Sequence, residues 1–206
     1  MGKVFVRYIC AYCILVTAKE TINYMINAVW SRSAVLYEMN LRQATPEGTL
    51  AAAAERLGFL RDLGIDAVWL MPHYPIGEVG RKGSLGSYYS IRDYRAVDPE
   101  LGTLADFDAF VRRAHALGMK VLIDWVANHT SRDARWLAEC PADWYERDAS
   151  GRPVVPNGWD DTAKLDYTNR AVWQGQIDAM RFWLAEHGVD GLSLIHISEP
   201  TRRVVI

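Results

Sequence analysis

The sequence has few cysteines, little net charge and no long apolar run. Its 206 residues include three cysteines. Cys10 and Cys13 form a lone Cys-x-x-C that lacks the second pair or nearby histidines of a zinc site, and the odd count with Cys140 argues against a disulfide framework. The formal net charge is −2, without a basic or acidic run. Nothing in the composition therefore indicates nucleic acid or an anionic membrane as a partner.

The N-terminal segment has two interpretations. Lys3 and Arg7 precede an apolar run at residues 8–16, which is followed by small residues suited to cleavage. This is the pattern of a weak signal peptide. An irregular extension or a wrongly chosen start codon explains the same residues equally well, and the run is too short to span a membrane. Residues 1–33 are therefore an N-terminal extension or signal-like segment, and secreted, periplasmic and cytoplasmic locations all stay open.

The rest of the composition is typical of one globular domain. Half of the residues are hydrophobic and 23% are charged, which is enough for a real core. The 8 tryptophans and 10 tyrosines are ordinary core and interface material. Flat aromatic faces also suit sugar rings, so a carbohydrate cleft is a second, more specific interpretation.

Strands and helices alternate from Ala34 onward. A helix end, a glycine and a strand follow one another at three junctions, which read LGIDAVWL, LGMKVLID and HGVDGLSL. This repeated pattern predicts a parallel sheet with right-handed crossovers. Strands are predicted at residues 34–40, 65–70 and 119–123, with a fourth beginning at Val189. Helices are predicted to begin at Thr45 and Thr103, and the apolar face of a third is predicted to consist of Trp173, Ile177, Met180 and Leu184.

Two long loops follow the predicted second and third strands, at about residues 71–102 and 126–169. Such loops, at the carboxyl ends of parallel strands, are where α/β folds place their active sites, although the pattern does not separate a barrel from an open sheet. Asp160 and Asp161 would suit acid/base chemistry or a cation, or they are solvated turn formers. The other candidate ligand contacts are His73, Tyr74, Tyr88, Tyr89, Asp93, Trp136, Trp144, Tyr145, Trp159 and Asp166.

The segment at residues 120–130, KVLIDWVANHT, organises the rest of the chain. A short apolar run ends there in Asp124, Asn128 and His129, as expected of a buried strand that delivers polar side chains at its carboxyl end. An isolated histidine is more often a satisfied core residue. A histidine that follows a strand together with an aspartate and an asparagine favours a site.

Residues 33–191 resemble the α-amylase family of glycoside hydrolases. IDAVWLMPHYP and VLIDWVANHTS are similar to the family's second-strand and third-strand motifs, AKLDYTN to a short motif late in the inserted loop, and GVDG to the opening of the fourth-strand motif, Gly-x-Asp-Gly-Phe-Arg-x-Asp. The resemblance implies a partial (β/α)8 TIM barrel, with strands one to about four and inserted loops after strands two and three. It also implies a retaining glycosidase that acts on α-glucosidic bonds of starch-like glucans or maltodextrins.

The resemblance also implies roles for single residues. His129 would contact the sugar at the cleavage point, Tyr89 would stack on that sugar, and Asp124 would hold an arginine of the site. Asn128 matches a calcium ligand, and calcium is the one cofactor implied. Ser90 stands where many members carry an aspartate, which removes a direct carboxylate contact. The predicted substrate-binding residues are thus His129, Tyr89, Asp124 and His73.

The resemblance ends at Gly191. Phe-Arg-x-Asp, whose aspartate is the family's nucleophile, would follow, and the acid/base glutamate would come from a later strand. The chain instead reads LSLIHISEPTRRVVI, and residues 192–202 resemble a translated sequencing adapter. Residues 192–206 are therefore expected to be a non-native tail, whose apolar start can still complete a fourth strand.

Residues 34–191 are expected to be the front half of a glycosidase barrel. The chain is expected to bind an α-glucan or maltooligosaccharide but to be inactive, because it holds neither the nucleophile nor the acid/base. The alternatives are a transglycosylase, a sucrose- or trehalose-acting member of the family, and a non-catalytic sugar-binding module. A half barrel would leave strand edges unpaired, so self-association is expected as well.

Overall fold

The computed structural model describes residues 29–195. The signal-like residues 1–18, the Cys-x-x-C pair and most of the predicted tail lie outside these residues. The strands are β1 (Leu36–Met39), β2 (Ala67–Leu70), β3 (Lys120–Val126), β4 (His129–Ser131), β5 (Thr162–Lys164) and β6 (Gly191–Ile195). Four of them form a parallel sheet in the order β1-β2-β3-β6, and β4 pairs with β5 in an antiparallel sheet within the second long loop.

Helices connect the parallel strands in the predicted alternation. They are α1 (Leu41–Ala44), α2 (Leu50–Glu55), α3 (Leu57–Asp62), α4 (Leu104–Ala116), α5 (Arg135–Glu139) and α6 (Arg170–Arg181), and α6 continues into a π-helical turn at Phe182–Glu186. The predicted fourth strand is confirmed and includes the start of LSLIHI. Within residues 29–195, none of the helices combines the length and the apolarity needed to cross a membrane.

The side of the parallel sheet that faces the helices forms the main core. Val68 and Leu70 of β2 and Val121 and Ile123 of β3 are buried there, and Phe107 of α4 belongs to the same cluster. Each buried side chain of this size stabilises the fold by about 2 kcal/mol. This layer holds the strand ends, and therefore the loops that follow them, in fixed positions.

The other side of the sheet is mixed in character. Glu38, Trp69 and Leu122 are neighbours in register across β1, β2 and β3. Asp124 lies two residues after Leu122 and therefore shares this face, since side chains alternate along a strand. Within the part of the chain that the structure describes, β1 and β6 each pair with one neighbouring strand, so both edges of the sheet are open.

One predicted helix start is correct and the other is wrong. Thr103 caps α4 in a capping box with Asp106, as predicted. Thr45 instead ends α1, and Thr49 caps α2 by accepting a hydrogen bond from Ala52 N. The Thr45 hydroxyl accepts from the backbone N–H of Gly48, whose φ is +67°. This left-handed turn interrupts the helix that the apolar spacing predicts.

The predicted apolar face of the third helix is half correct: Met180 and Leu184 are partly buried against the main core, but Trp173 and Ile177 are not part of it. Trp173 and Ile177 of α6 are 55% and 41% exposed, whereas Val172, Gln176 and Ala179 are buried. The side-chain oxygen of Gln176 accepts a hydrogen bond of 2.8 Å from Trp125 Nε1, so a polar residue belongs to the buried face. The spacing of hydrophobic residues predicts a buried face one residue further along the helix than the observed one, because it counts glutamine as a surface residue.

Candidate active site

A cleft of about 200 Å³ opens beyond the carboxyl end of β3, between the two long loops. Of the four predicted substrate-binding residues, His129 and Tyr89 line this cleft, and Asp124 and His73 do not. The complete lining consists of Lys82, Ser87, Tyr89, His129, Trp159, Asp161 and Thr162. The loop that follows β2 and the segment between β3 and α6 therefore meet at one site.

His129 has a defined orientation beside the cleft. It begins β4, where pairing with β5 fixes its backbone. Its Nδ1 lies 3.2 Å from the side-chain nitrogen of Asn128, and its Nε2 lies 3.2 Å from the carbonyl oxygen of Tyr89. An amide nitrogen only donates, so Nδ1 accepts and Nε2 carries the proton donated to Tyr89. The ring centres of His129 and Trp159 are 5.3 Å apart, which puts an aromatic face next to the imidazole.

Asp124 lies behind Tyr89. The Tyr89 hydroxyl donates to Asp124 Oδ2 over 3.3 Å, and the Tyr74 hydroxyl donates to the Asp124 backbone oxygen over 3.1 Å. Asp124 is fully buried, and among residues 29–195 its Oδ1 has no hydrogen-bond partner. Burial raises the pKa of this carboxyl to about 7, the hydrogen bond from Tyr89 lowers it, and the charge of Glu38 raises it. The Asp124 carboxyl therefore holds the side chain of Tyr89, which lines the cleft.

The residue that pairs with Asp124 across the sheet explains why no positive charge compensates for the burial of the Asp124 carboxyl. Asp124 pairs in register with Ser193 of β6, at the position where the fourth-strand motif carries arginine. A guanidinium at that place would favour the ionised carboxylate, whereas a serine hydroxyl brings no charge. The role implied for Asp124, holding an arginine, therefore has no counterpart at position 193 of this chain.

The structure corrects the prediction that His73 contacts a ligand. His73 is fully buried, and its ring lies 4.8 Å from that of Phe107 and 4.7 Å from that of Trp183. Among the described residues neither ring nitrogen has a hydrogen-bond partner, and burial lowers the pKa of the imidazole to about 3. His73 is an aromatic core residue between the sheet and the helices. The position of His73 just after a strand does not predict this burial, because packing against Phe107 and Trp183 determines it.

Asn128 keeps the calcium-binding role implied by the resemblance as a prediction only. Its side-chain nitrogen is directed at His129 Nδ1. Within residues 29–195, no three histidine, cysteine, aspartate or glutamate side chains converge on one point. Calcium is bound by six to eight oxygen ligands, which include backbone and side-chain amide oxygens.

Ion pairs between one lysine and two aspartates connect the two loops. Lys82 Nζ lies 3.3 Å from a carboxylate oxygen of Asp160 and 3.3 Å from one of Asp161. Ser90 is buried and donates to the Asp161 backbone oxygen over 2.9 Å, so it joins the loops where other members carry an aspartate. Three lining residues, Lys82, Ser87 and Thr162, have no signal in the sequence, because lysine, serine and threonine are ordinary surface residues in loops.

Comparison with known proteins identifies the class of this fold and site. The family described as the alpha-amylase catalytic domain matches residues 32–202. The chain is 32% identical to the trehalose synthase/amylase TreS of Mycobacterium tuberculosis, over 80% of this chain and 32% of that protein. It is 32% identical to a probable alpha-glucosidase of Rhizobium meliloti, over 80% of this chain and 35% of that protein. The chain thus spans about a third of the length of these curated relatives.

Solved structures give the same result. An alpha-amylase from Lactobacillus plantarum is 47% identical, with a TM-score of 0.70 over 72% of this chain and 35% of that one. A maltogenic alpha-amylase from Thermotoga neapolitana is 38% identical, with a TM-score of 0.74 over 80% and 39%. The fold is therefore part of a (β/α)8 barrel, with a cleft at the carboxyl ends of its strands. The chain belongs to the alpha-amylase family of glycoside hydrolases.

Proposed function

We propose that this cleft holds a glucosyl unit of an α-glucan or maltooligosaccharide, and that the chain supplies the substrate-holding part of a retaining glycosidase site. The observation that carries the proposal is the meeting of Tyr89 from the first long loop with His129 and Trp159 from the second around one cleft. The imidazole, whose two ring nitrogens are held by Asn128 and by the Tyr89 carbonyl oxygen, forms one wall of the cleft against which the sugar packs. The aromatic faces support the flattened, oxocarbenium-like ring of the transition state.

The carboxylates that cleave the bond are a separate requirement. A retaining glycosidase needs a nucleophile and an acid/base about 5 Å apart. Where the fourth-strand motif has Phe-Arg-x-Asp, this chain reads Leu192, Ser193, Leu194 and Ile195. We therefore expect the polypeptide of 206 residues to bind maltooligosaccharide without cleaving it, and its incubation with starch should release no maltose.

Replacing His129 by alanine tests the proposed binding site. The variant should bind maltotriose about tenfold more weakly than the wild-type chain, since it loses one wall of the cleft. Isothermal titration calorimetry measures both dissociation constants. His115→Gln is the matched control, because His115 lies at the end of α4, outside the cleft. Equal affinity of the His129→Ala variant and the wild type would refute the proposal.

A second candidate is a transglycosylase or trehalose-acting enzyme. It is favoured by the identity of 32% with the trehalose synthase/amylase of M. tuberculosis. The two candidates differ in the sugar that the cleft prefers. Tighter binding of maltotriose than of trehalose supports the α-glucan hydrolase, and the reverse order supports the second candidate.

We also propose that a polypeptide of these residues associates with itself. Within residues 29–195 both edges of the parallel sheet are open, and α6 exposes Trp173 and Ile177. Open edges and exposed apolar side chains favour association. Sedimentation velocity over about a hundredfold range of protein concentration should therefore show a concentration-dependent size. A monomer at every concentration, with cooperative unfolding at high temperature, would contradict this.

A further inference from the structure

We infer that Lys82 is a positioning residue of the cleft, which holds Trp159 beside His129 by binding Asp161 and Asp160. This inference rests on the proposed function, because it assigns the means by which one wall of the sugar site is kept in place. Lys82 and Trp159 both line the cleft, but they come from different loops.

Trp159 begins a tight turn that carries the two aspartates. The backbone N–H and the hydroxyl of Thr162 both donate to the Trp159 carbonyl oxygen, over 2.9 and 2.7 Å. Asp160 and Asp161 are the two central residues of this turn, as is common for aspartate. A movement of either carboxylate therefore moves the backbone that positions Trp159.

The two aspartates differ in how much they need the lysine. The side chain of Asp161 is 4% exposed, whereas that of Asp160 is 76% exposed. An exposed ion pair contributes little, because water and salt screen it. A buried carboxylate that loses its cation is strongly disfavoured. Without Lys82, the Asp161 carboxylate would therefore turn towards water and move the Trp159–Thr162 turn with it.

The loop that carries Lys82 packs closely against the Trp159–Thr162 turn. Gly80 has a φ of +73°, and a Cβ atom at Gly80 would lie 2.9 Å from the Asp160 backbone oxygen. The Ser90 hydroxyl also donates to the Asp161 backbone oxygen. These contacts place the two loops but hold only backbone atoms. Among residues 29–195, Lys82 is the side chain whose ion pairs hold the carboxylates of the turn.

The position of Trp159 can be read without any sugar. Fluorine NMR of the full chain labelled with fluorotryptophan resolves single indoles, and the Trp159 resonance is identified by its loss in Trp159→Phe. Lys82→Met should shift or broaden this resonance and weaken maltotriose binding about fivefold. Lys82→Arg should restore both, because arginine also binds two carboxylates. Lys164→Met is the matched control: Lys164 forms an ion pair with Glu146 near the turn but does not line the cleft.

The outcomes separate this inference from the proposed function. An unchanged Trp159 resonance in Lys82→Met overturns the inference, whether or not the chain binds sugar. A shifted resonance that Lys82→Arg restores supports the positioning role, even if wild type fails to bind maltotriose, which would overturn the proposed function instead. A Lys164→Met spectrum altered like that of Lys82→Met would mean a general loss of structure, and it too would overturn the inference.

Discussion

Replacing Asp124 by asparagine is expected to raise the free energy of unfolding at about pH 8 by roughly 4 kcal/mol. The pKa of the buried carboxyl is about 7 in the folded chain, against an ordinary value of 3.8. Because the folded state binds this proton more tightly than the unfolded state does, the associated stability is complete below the ordinary pKa and is lost as the pH rises towards about 7. Asparagine carries no charge and still accepts from Tyr89, so the variant avoids that loss.

Urea unfolding at one fixed protein concentration, from about pH 4 to about pH 8, measures this effect. The control is Asp62→Asn at the exposed end of α3, which should leave the stability nearly unchanged. If Asp124→Asn is no more stable than wild type at about pH 8, then Asp124 is not a buried and uncompensated carboxylate.

The opposite pH dependence is expected of His73. Burial lowers the pKa of this imidazole from 6.5 to about 3. Between these values the unfolded state binds the proton and the folded state does not, so the stability falls as the pH falls. Leucine has a similar volume and no polar atoms. His73→Leu should therefore be about 3 kcal/mol more stable than wild type at about pH 4 and should differ much less at neutral pH.

The same unfolding series measures this variant, with His115→Gln as a control for loss of an exposed histidine. If His73→Leu is no more stable than wild type at about pH 4, the buried imidazole of His73 does not lower the stability in acid. The two variants also test each other. In wild type the Asp124 and His73 contributions have opposite slopes over nearly the same range, about 1.4 kcal/mol per pH unit each, and largely cancel. Each single variant should therefore reveal the slope of the remaining group.

Much of the fold could be predicted from the sequence because short-range signals specify it. The capping box of Thr103 and Asp106, the apolar run of β3 and the glycines between helices and strands all act within a few residues. The apolar start of the segment after Gly191 forms a strand beside β3, since an apolar, β-prone sequence pairs with an available edge whatever its origin.

Long-range contacts decide the features that could not be predicted. His73 and His129 both follow strands, and only the packing of Phe107 and Trp183 makes the first a core residue. Gln176 belongs to the buried face of α6 because Trp125 donates to it across the core. The pairing of Lys82 with two aspartates far along the chain has no local signal. The site was therefore predictable where a family motif marks it, and not where two loops build it together.

The proposed sugar site can be tested by following the histidine resonances of the chain during a maltotriose titration. The sequence has five histidines, and substitution of His129 by alanine identifies its ring signals. We expect a saturable shift of the His129 ring signals, with the signals of His73 and His115 unchanged because those residues lie outside the cleft. Saturable binding that leaves the His129 signals in place, or no binding at all, would contradict it.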